Sequence, residues 1–172
     1  EKPSEKNELF FLASAVNSSH KRIVWGVHFC PYDPTILASG SRDGVVKLWK
    51  ICDGGDEGSE DTIVKEYEKI VPTLNAGAAV VSKGKAEAVT SLAFSPSTMF
   101  GTNRGILAIG FENGLIQLWS VPIISHPDDK SLAPPSLAKA FDPQLCHIGA
   151  IKKLAWRPLR ENDEGPLVLA SC

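Results

Sequence analysis

Apolar positions along this chain fall in short runs, either continuous or alternating with polar residues, and each run is bounded by Gly, Pro, Asp or Ser. No stretch sustains the 3.6-residue period of an amphipathic helix, so the pattern predicts many short strands. These strands are expected over 9–16, 23–30, 36–41, 45–51 and 62–70, then 88–95, 106–111, 115–121 and 136–141, and finally 148–156 and 167–172. The connections Arg42-Asp43-Gly44 and Glu112-Asn113-Gly114 read as two-residue hairpin turns, because Asp-Gly and Asn-Gly tolerate the positive φ angles such turns need.

The strand pattern repeats. Leu37-Ala-Ser-Gly-Ser-Arg-Asp-Gly-Val-Val-Lys-Leu-Trp-Lys50 returns as Leu107-Ala-Ile-Gly-Phe-Glu-Asn-Gly-Leu-Ile-Gln-Leu-Trp-Ser120, with the turn glycine and the tryptophan in register. A third copy starts at Cys146-His-Ile-Gly-Ala-Ile-Lys-Lys-Leu-Ala-Trp156 and continues at Leu167-Val-Leu-Ala-Ser-Cys172. Val45–Ile51 is apolar on nearly both faces, as befits a strand between two neighbouring sheets. Four antiparallel strands, repeated, make a propeller blade, so the fold class is all-β, with about two and a half four-stranded blades of a larger β-propeller.

On this reading residues 1–19 supply the outer strand of a preceding blade and a linker, with Phe10 and Phe11 as its core residues. A blade follows over 20–71, an insertion loop over 72–87, a second blade over 88–145 with its own insertion at 122–135, and a partial blade over 146–172. Cys52–Thr62 forms a further acidic, glycine-rich loop, and 122–135 holds four of the twelve prolines. Such loops lengthen a repeat at little cost, because closure entropy grows only logarithmically. Isolated blades would leave sheet faces and edges open, so the rest of the propeller is required to complete the fold.

Composition adds constraints on compartment and partners. With 43% hydrophobic and 22% charged residues, the 172-residue chain reads as soluble and globular. No run reaches the ~18 apolar residues that span a bilayer, and Glu1–Glu8 is too charged for a signal peptide, so no membrane contact and an intracellular site are expected. Cys30, Cys52, Cys146 and Cys172 are far apart and read as free thiols, with no metal or cofactor expected. The net charge of -2 conceals an acidic stretch over 51–70, with seven acids against two lysines, and an acid-free basic stretch holding Lys152, Lys153, Arg157 and Arg160.

In the first copy His20 precedes a strand, Ser39 lies in the next, Asp43 in the turn and Trp49 six residues beyond it. This spacing resembles the structural tetrad of WD-repeat blades. The resemblance implies that the Trp49 indole donates to Ser39, Ser39 to a His20 nitrogen, and the other His20 nitrogen to the Asp43 carboxylate. Such a relay satisfies donors that would each cost about 1 to 3 kcal/mol if buried unpaired. It also accounts for every member of a His-Ser-Asp set that would otherwise suggest a catalytic triad, and no glycine-flanked serine elbow is present. In the second copy Lys85, Ile109 and Asn113 replace the first three members and only Trp119 remains, so apolar packing is expected to hold that blade. The third copy offers His147 and Ser171.

Several less generic stretches occur together: His20-Lys-Arg-Ile-Val-Trp25, Ala88-Val-Thr-Ser-Leu-Ala93, Ala108-Ile-Gly-Phe-Glu-Asn-Gly-Leu-Ile116 and Ile151-Lys-Lys-Leu-Ala-Trp156 followed by Ala170-Ser-Cys172. In this order they resemble the carboxy-terminal blades of the Elongator complex subunit 2 family. The resemblance implies a non-catalytic scaffold, in cytoplasm and nucleus, whose partners are the other Elongator subunits and which supports wobble-uridine modification of transfer RNA. Histone acetylation and transcription elongation are secondary associations. Lys21, Arg22, Lys152, Lys153, Arg157 and Arg160 are the candidates for RNA or partner contact, against a plainer reading as solvated loop residues. Alternation would send Lys152 and Lys153 to opposite faces of their strand. The alternative to a complex scaffold is a WD-repeat adaptor that binds a peptide, such as a histone tail or degradation signal. Paired carboxylates, a glycine-rich phosphate loop and metal-ligand spacings are all missing from the sequence, which argues against an enzyme.

Overall fold

The computed structural model describes residues 20–50, 86–99, 102–123, 133–159 and 165–172. Within them lie β1 (Val24–Cys30), β2 (Asp33–Ser41), β3 (Val46–Lys50), β4 (Val89–Thr98), β5 (Arg104–Phe111), β6 (Ile116–Pro122), β7 (Ser136–Ala140), β8 (Leu154–Trp156) and β9 (Leu169–Ser171). Antiparallel pairing in chain order gives three sheets, β1-β2-β3, β4-β5-β6-β7 and β8-β9, so the fold is all-β and the second sheet is a complete four-stranded blade. The strands expected at 9–16 and 62–70, and the loop Cys52–Thr62, lie outside the described residues. Among the described residues no helix is long and apolar enough to cross a membrane.

The internal repeat has its counterpart in register. Leu37 pairs with Trp49 and Ala38 with Leu48 in the first sheet, as Leu107 pairs with Trp119 and Ala108 with Leu118 in the second. The connecting hairpins differ from the two-residue turns that Asp-Gly and Asn-Gly suggested. Gly44 N donates to Ser41 O and Ser41 N to Val45 O, and the same pair joins Gly114, Phe111 and Leu115. Each hairpin therefore has a three-residue loop, a turn closed by one glycine at φ 79° or 88° that forms a bulge. The side chains of Asp43 and Asn113 support these loops by accepting from Val45 N at 3.0 Å and Leu115 N at 3.1 Å.

The core lies between sheets. Alternation along β5 turns Leu107, Ile109 and Phe111, together with Val89, Leu92 and Phe94 of β4, toward Ile36, Val46 and Leu48 of the first sheet. Ala108 joins Ile116, Ile151 and Leu154 in the seam with the third sheet. Phe111, Leu107 and Ile109 are fully buried, as a strand covered on both faces should be.

The third copy departs from the expected strand 148–156, because the ladder holds only Leu154–Trp156. The preceding backbone is committed to the neighbouring blade: His147 N donates to Gly114 O at 3.2 Å and Ile151 N to Phe111 O at 3.1 Å. At the far end of the second blade Arg104 pins the connection from β6 to β7. Its guanidinium donates to Ser120 Oγ at 2.7 Å, Ser120 O at 2.8 Å, and the carbonyls of Ala133 and Pro134 at 3.0 Å. Beside it, Asn103 and Ile123 exchange backbone and side-chain bonds of 3.0 and 3.1 Å.

Candidate functional site

The turn after β2 projects Asp43 back over the segment entering β1, and the ladder aligns Ser39 and Trp49 on one side of the sheet. Trp49 Nε1 donates to Ser39 Oγ at 2.7 Å, and Ser39 Oγ lies 2.7 Å from His20 Nε2. His20 Nδ1 stands 3.3 Å from Asp43 Oδ2. A carboxylate only accepts, so His20 Nδ1 carries the proton and Nε2 accepts from the Ser39 hydroxyl. The structure thus brings His20, Ser39, Asp43 and Trp49 into one directed chain, in which every polar group has a partner and no nucleophile or base is left over. Asp43 also accepts from Lys21 N at 2.9 Å, which draws the start of β1 against the turn.

The His20 side chain is 3% exposed. Burial holds its pKa below the ordinary 6.5, against the opposing pull of Asp43. Burial would raise Asp43, but hydrogen bonds from the Val45 and Lys21 amides and the neighbouring His20 outweigh it and hold the carboxyl below 3.8. A folded-state pKa lower than the unfolded one contributes stability that is present above the unfolded value and lost as pH falls. Stability should therefore be level near pH 7, decline below about 6.5 as His20 is protonated, and decline again below about 3.8 with Asp43. Urea midpoints measured against pH should show both steps, and His20→Gln should abolish the upper one.

The second blade solves the same problem differently from the apolar packing expected of it. Ile109 is fully buried at the serine place, but Trp119 Nε1 donates to Gln117 Oε1 at 2.9 Å. Gln117 is 3% exposed and lies opposite Ile109, as Lys47 lies opposite Ser39. A residue two before the tryptophan, on the same face of the same strand, therefore replaces the hydroxyl. The signal was in the sequence as Gln117-Leu-Trp119, at a position outside the four-residue motif. Gln117→Leu should destabilise the protein by about 1 to 3 kcal/mol through the orphaned indole donor, read as a shift in thermal midpoint. Lys85 lies outside the described residues. In the third blade His147 Nε2 stands 2.8 Å from Ser171 Oγ, the same half of the chain as in the first.

The candidate contact residues do not form one patch by sequence order. Lys21 and Arg22 are exposed where the chain enters β1, and the Arg22 carbonyl accepts from Ser41 Oγ at 3.1 Å. Arg157 donates to Pro166 O at 3.0 Å, and Arg160 lies outside the described residues. Lys152 and Lys153 depart from the expected alternation. Both backbone amides donate to Cys172 O, at 2.6 and 3.2 Å, so two residues face one across the ladder. This bulge keeps both ammonium groups on the same exposed side. Among the described residues no cluster of three His, Cys, Asp or Glu side chains could hold a metal ion.

The family model for the WD domain, G-beta repeat, matches residues 13–50 and 79–120. Elongator complex protein 2 of Arabidopsis thaliana is 29% identical over 171 residues, covering 98% of this chain and 18% of that protein. Elongator complex protein 2 of Drosophila melanogaster is 34% identical over 158 residues, covering 91% of this chain and 16% of that protein. Protein SPA1-RELATED 3 of Arabidopsis thaliana is 51% identical, but over 43 residues, 25% of this chain and 5% of that protein. The chain spans less than a fifth of the length of these relatives.

Proposed function

We infer, from the WD-repeat matches at 13–50 and 79–120 and from the match of nearly all of this chain to Elongator complex protein 2, that the chain is a propeller segment of an Elongator scaffold subunit. The subunit holds together the assembly that modifies wobble uridines of transfer RNA, in cytoplasm and nucleus, while another subunit carries the chemistry. Histone acetylation and transcription elongation remain secondary associations of the same complex.

The extent of the match carries this reading. The match to the SPA1-related protein, though more identical, covers 43 residues and 25% of this chain. The Elongator relatives instead align over 98% and 91% of this chain. A non-catalytic role is supported by the first blade, whose histidine, serine and aspartate are consumed in holding one tryptophan.

Removing the full-length protein from its cell should eliminate the wobble-uridine side chains, measured by mass spectrometry of digested transfer RNA. A tagged copy should co-purify with the other Elongator subunits. Normal modification after removal contradicts the reading.

A further inference from the structure

Met99 is the single methionine of the chain, and it stands in the turn from β4 to β5. The turn holds its backbone at both ends: Met99 N donates to Arg104 O at 2.7 Å, and Met99 O accepts from Thr102 N and Thr102 Oγ1, each at 3.0 Å. Its sulfur is directed at the Arg104 clamp. Ser120 Oγ donates to Met99 Sδ at 3.7 Å and accepts from Arg104 Nε at 2.7 Å. Met99 is nonetheless 40% exposed, whereas Ser120 is 8% exposed. The blade that carries this turn packs against a neighbouring sheet on each side, so the exposure does not come from an open sheet face.

A thioether within reach of solvent is a two-electron reductant for peroxides. Oxidation of methionine usually disrupts, because a polar sulfoxide replaces an apolar group in a core or an apolar interface. Met99 differs: it belongs to neither apolar core cluster, and a buried hydroxyl faces its sulfur. Thioether sulfur is a weak acceptor, so the Ser120 hydroxyl proton has a poor partner in the reduced protein. A sulfoxide oxygen accepts far better. Since the same hydroxyl accepts from Arg104, a stronger outgoing bond polarises it as a partner for the incoming Nε–H. The rest of the guanidinium is committed to the carbonyls of Ser120, Ala133 and Pro134, which carry the effect to the approach to β7.

We propose that Met99 is a peroxide-oxidised site whose sulfoxide tightens the Arg104 clamp. In the step a sulfur lone pair attacks one oxygen of hydrogen peroxide, and the S–O bond forms as the O–O bond breaks. The departing hydroxide takes the proton left on the transferred oxygen and leaves as water. Sulfur loses two electrons and the peroxide gains them. The new oxygen accepts from Ser120 Oγ. Reversal falls to a methionine sulfoxide reductase with a thiol reductant. The site is independent of the complex in which the chain works.

The test treats the full-length protein with excess hydrogen peroxide beside free methionine, locates added oxygen by peptide mass spectrometry and follows hydrogen exchange over 133–140. Met99 should be converted, and exchange in this segment should slow about threefold. In Ser120→Ala the methionine should still oxidise while the slowing is lost. Met99→Leu keeps every other oxidisable side chain, thiols included, and should show no slowing either. Treatment of the oxidised protein with methionine sulfoxide reductases should restore the starting rate. The proposal is overturned by Met99 left intact once the free methionine is consumed, by exchange that is unchanged or faster after oxidation, or by equal slowing in either variant.

Discussion

Replacing Gly114 by alanine should cost the full-length protein about 3 to 4 kcal/mol, adding left-handed backbone strain to a steric clash that only a shift of chain can relieve. Gly114 has φ 88°, and a methyl group there would meet the His147 carbonyl oxygen, with Gly149 O at 2.8 Å. Both contacts are backbone atoms of the segment that leads into the third blade, so rotamer change cannot accommodate them. Gly44 has the same conformation, but a methyl there meets Ala86 Cβ at 2.7 Å and Glu87 O at 3.0 Å, so Gly44→Ala should cost less. Gly149→Ala is the control: a methyl there has nothing within 4 Å, and the change should stay within about 0.5 kcal/mol. Urea denaturation of the three variants measures the series. Equal effects of Gly114→Ala and Gly149→Ala would mean that blades two and three do not meet at this turn.

Ser39→Ala should cost about 2 to 4 kcal/mol, since one hydroxyl serves both the Trp49 indole and the His20 ring, and its loss leaves two partly buried groups unpaired. The second blade indicates a rescue. Gln117 holds Trp119 from the position that Lys47 occupies in the first blade, so Lys47→Gln should restore an acceptor for Trp49. In a double-mutant cycle the Ser39→Ala loss should be smaller in the Lys47→Gln background by about 1 kcal/mol. The His20 half would stay unpaired, and so the rescue should be partial. Additive losses would show that the glutamine arrangement depends on its own surroundings and does not transfer.

The hairpins and their register were legible because they depend on local features: an Asp-Gly or Asn-Gly pair, and apolar residues whose spacing repeats from Leu37–Lys50 to Leu107–Ser120. The four tetrad positions were legible for a related reason, since each stands at a fixed offset from the turn. The turn type was not, because one positive-φ glycine suffices when a bulge supplies the rest of the twist, and Asp-Gly alone does not distinguish two-residue from three-residue loops. Gln117 went unnoticed because its role arises from what Ile109 opposite it lacks, which is a pairing property. The lysine pair was misassigned to opposite faces because strict alternation assumes an unbroken ladder, and the Cys172 carbonyl that takes both amides lies across the sheet. Local rules thus recovered the elements, and errors gathered wherever a residue's environment is set by a neighbouring strand.

The clamp around Arg104 bears on how such a blade can change. Because one guanidinium fixes both the exit of β6 and the approach to β7, the sheet registers only where the intervening polypeptide departs and returns. Substitution or lengthening of 124–132 should therefore be invisible to the ladder, which makes this the natural place to graft an epitope tag or a fluorophore-bearing loop. The tolerance would vanish with the arginine, so a position far from any chemistry determines whether the blade can be edited.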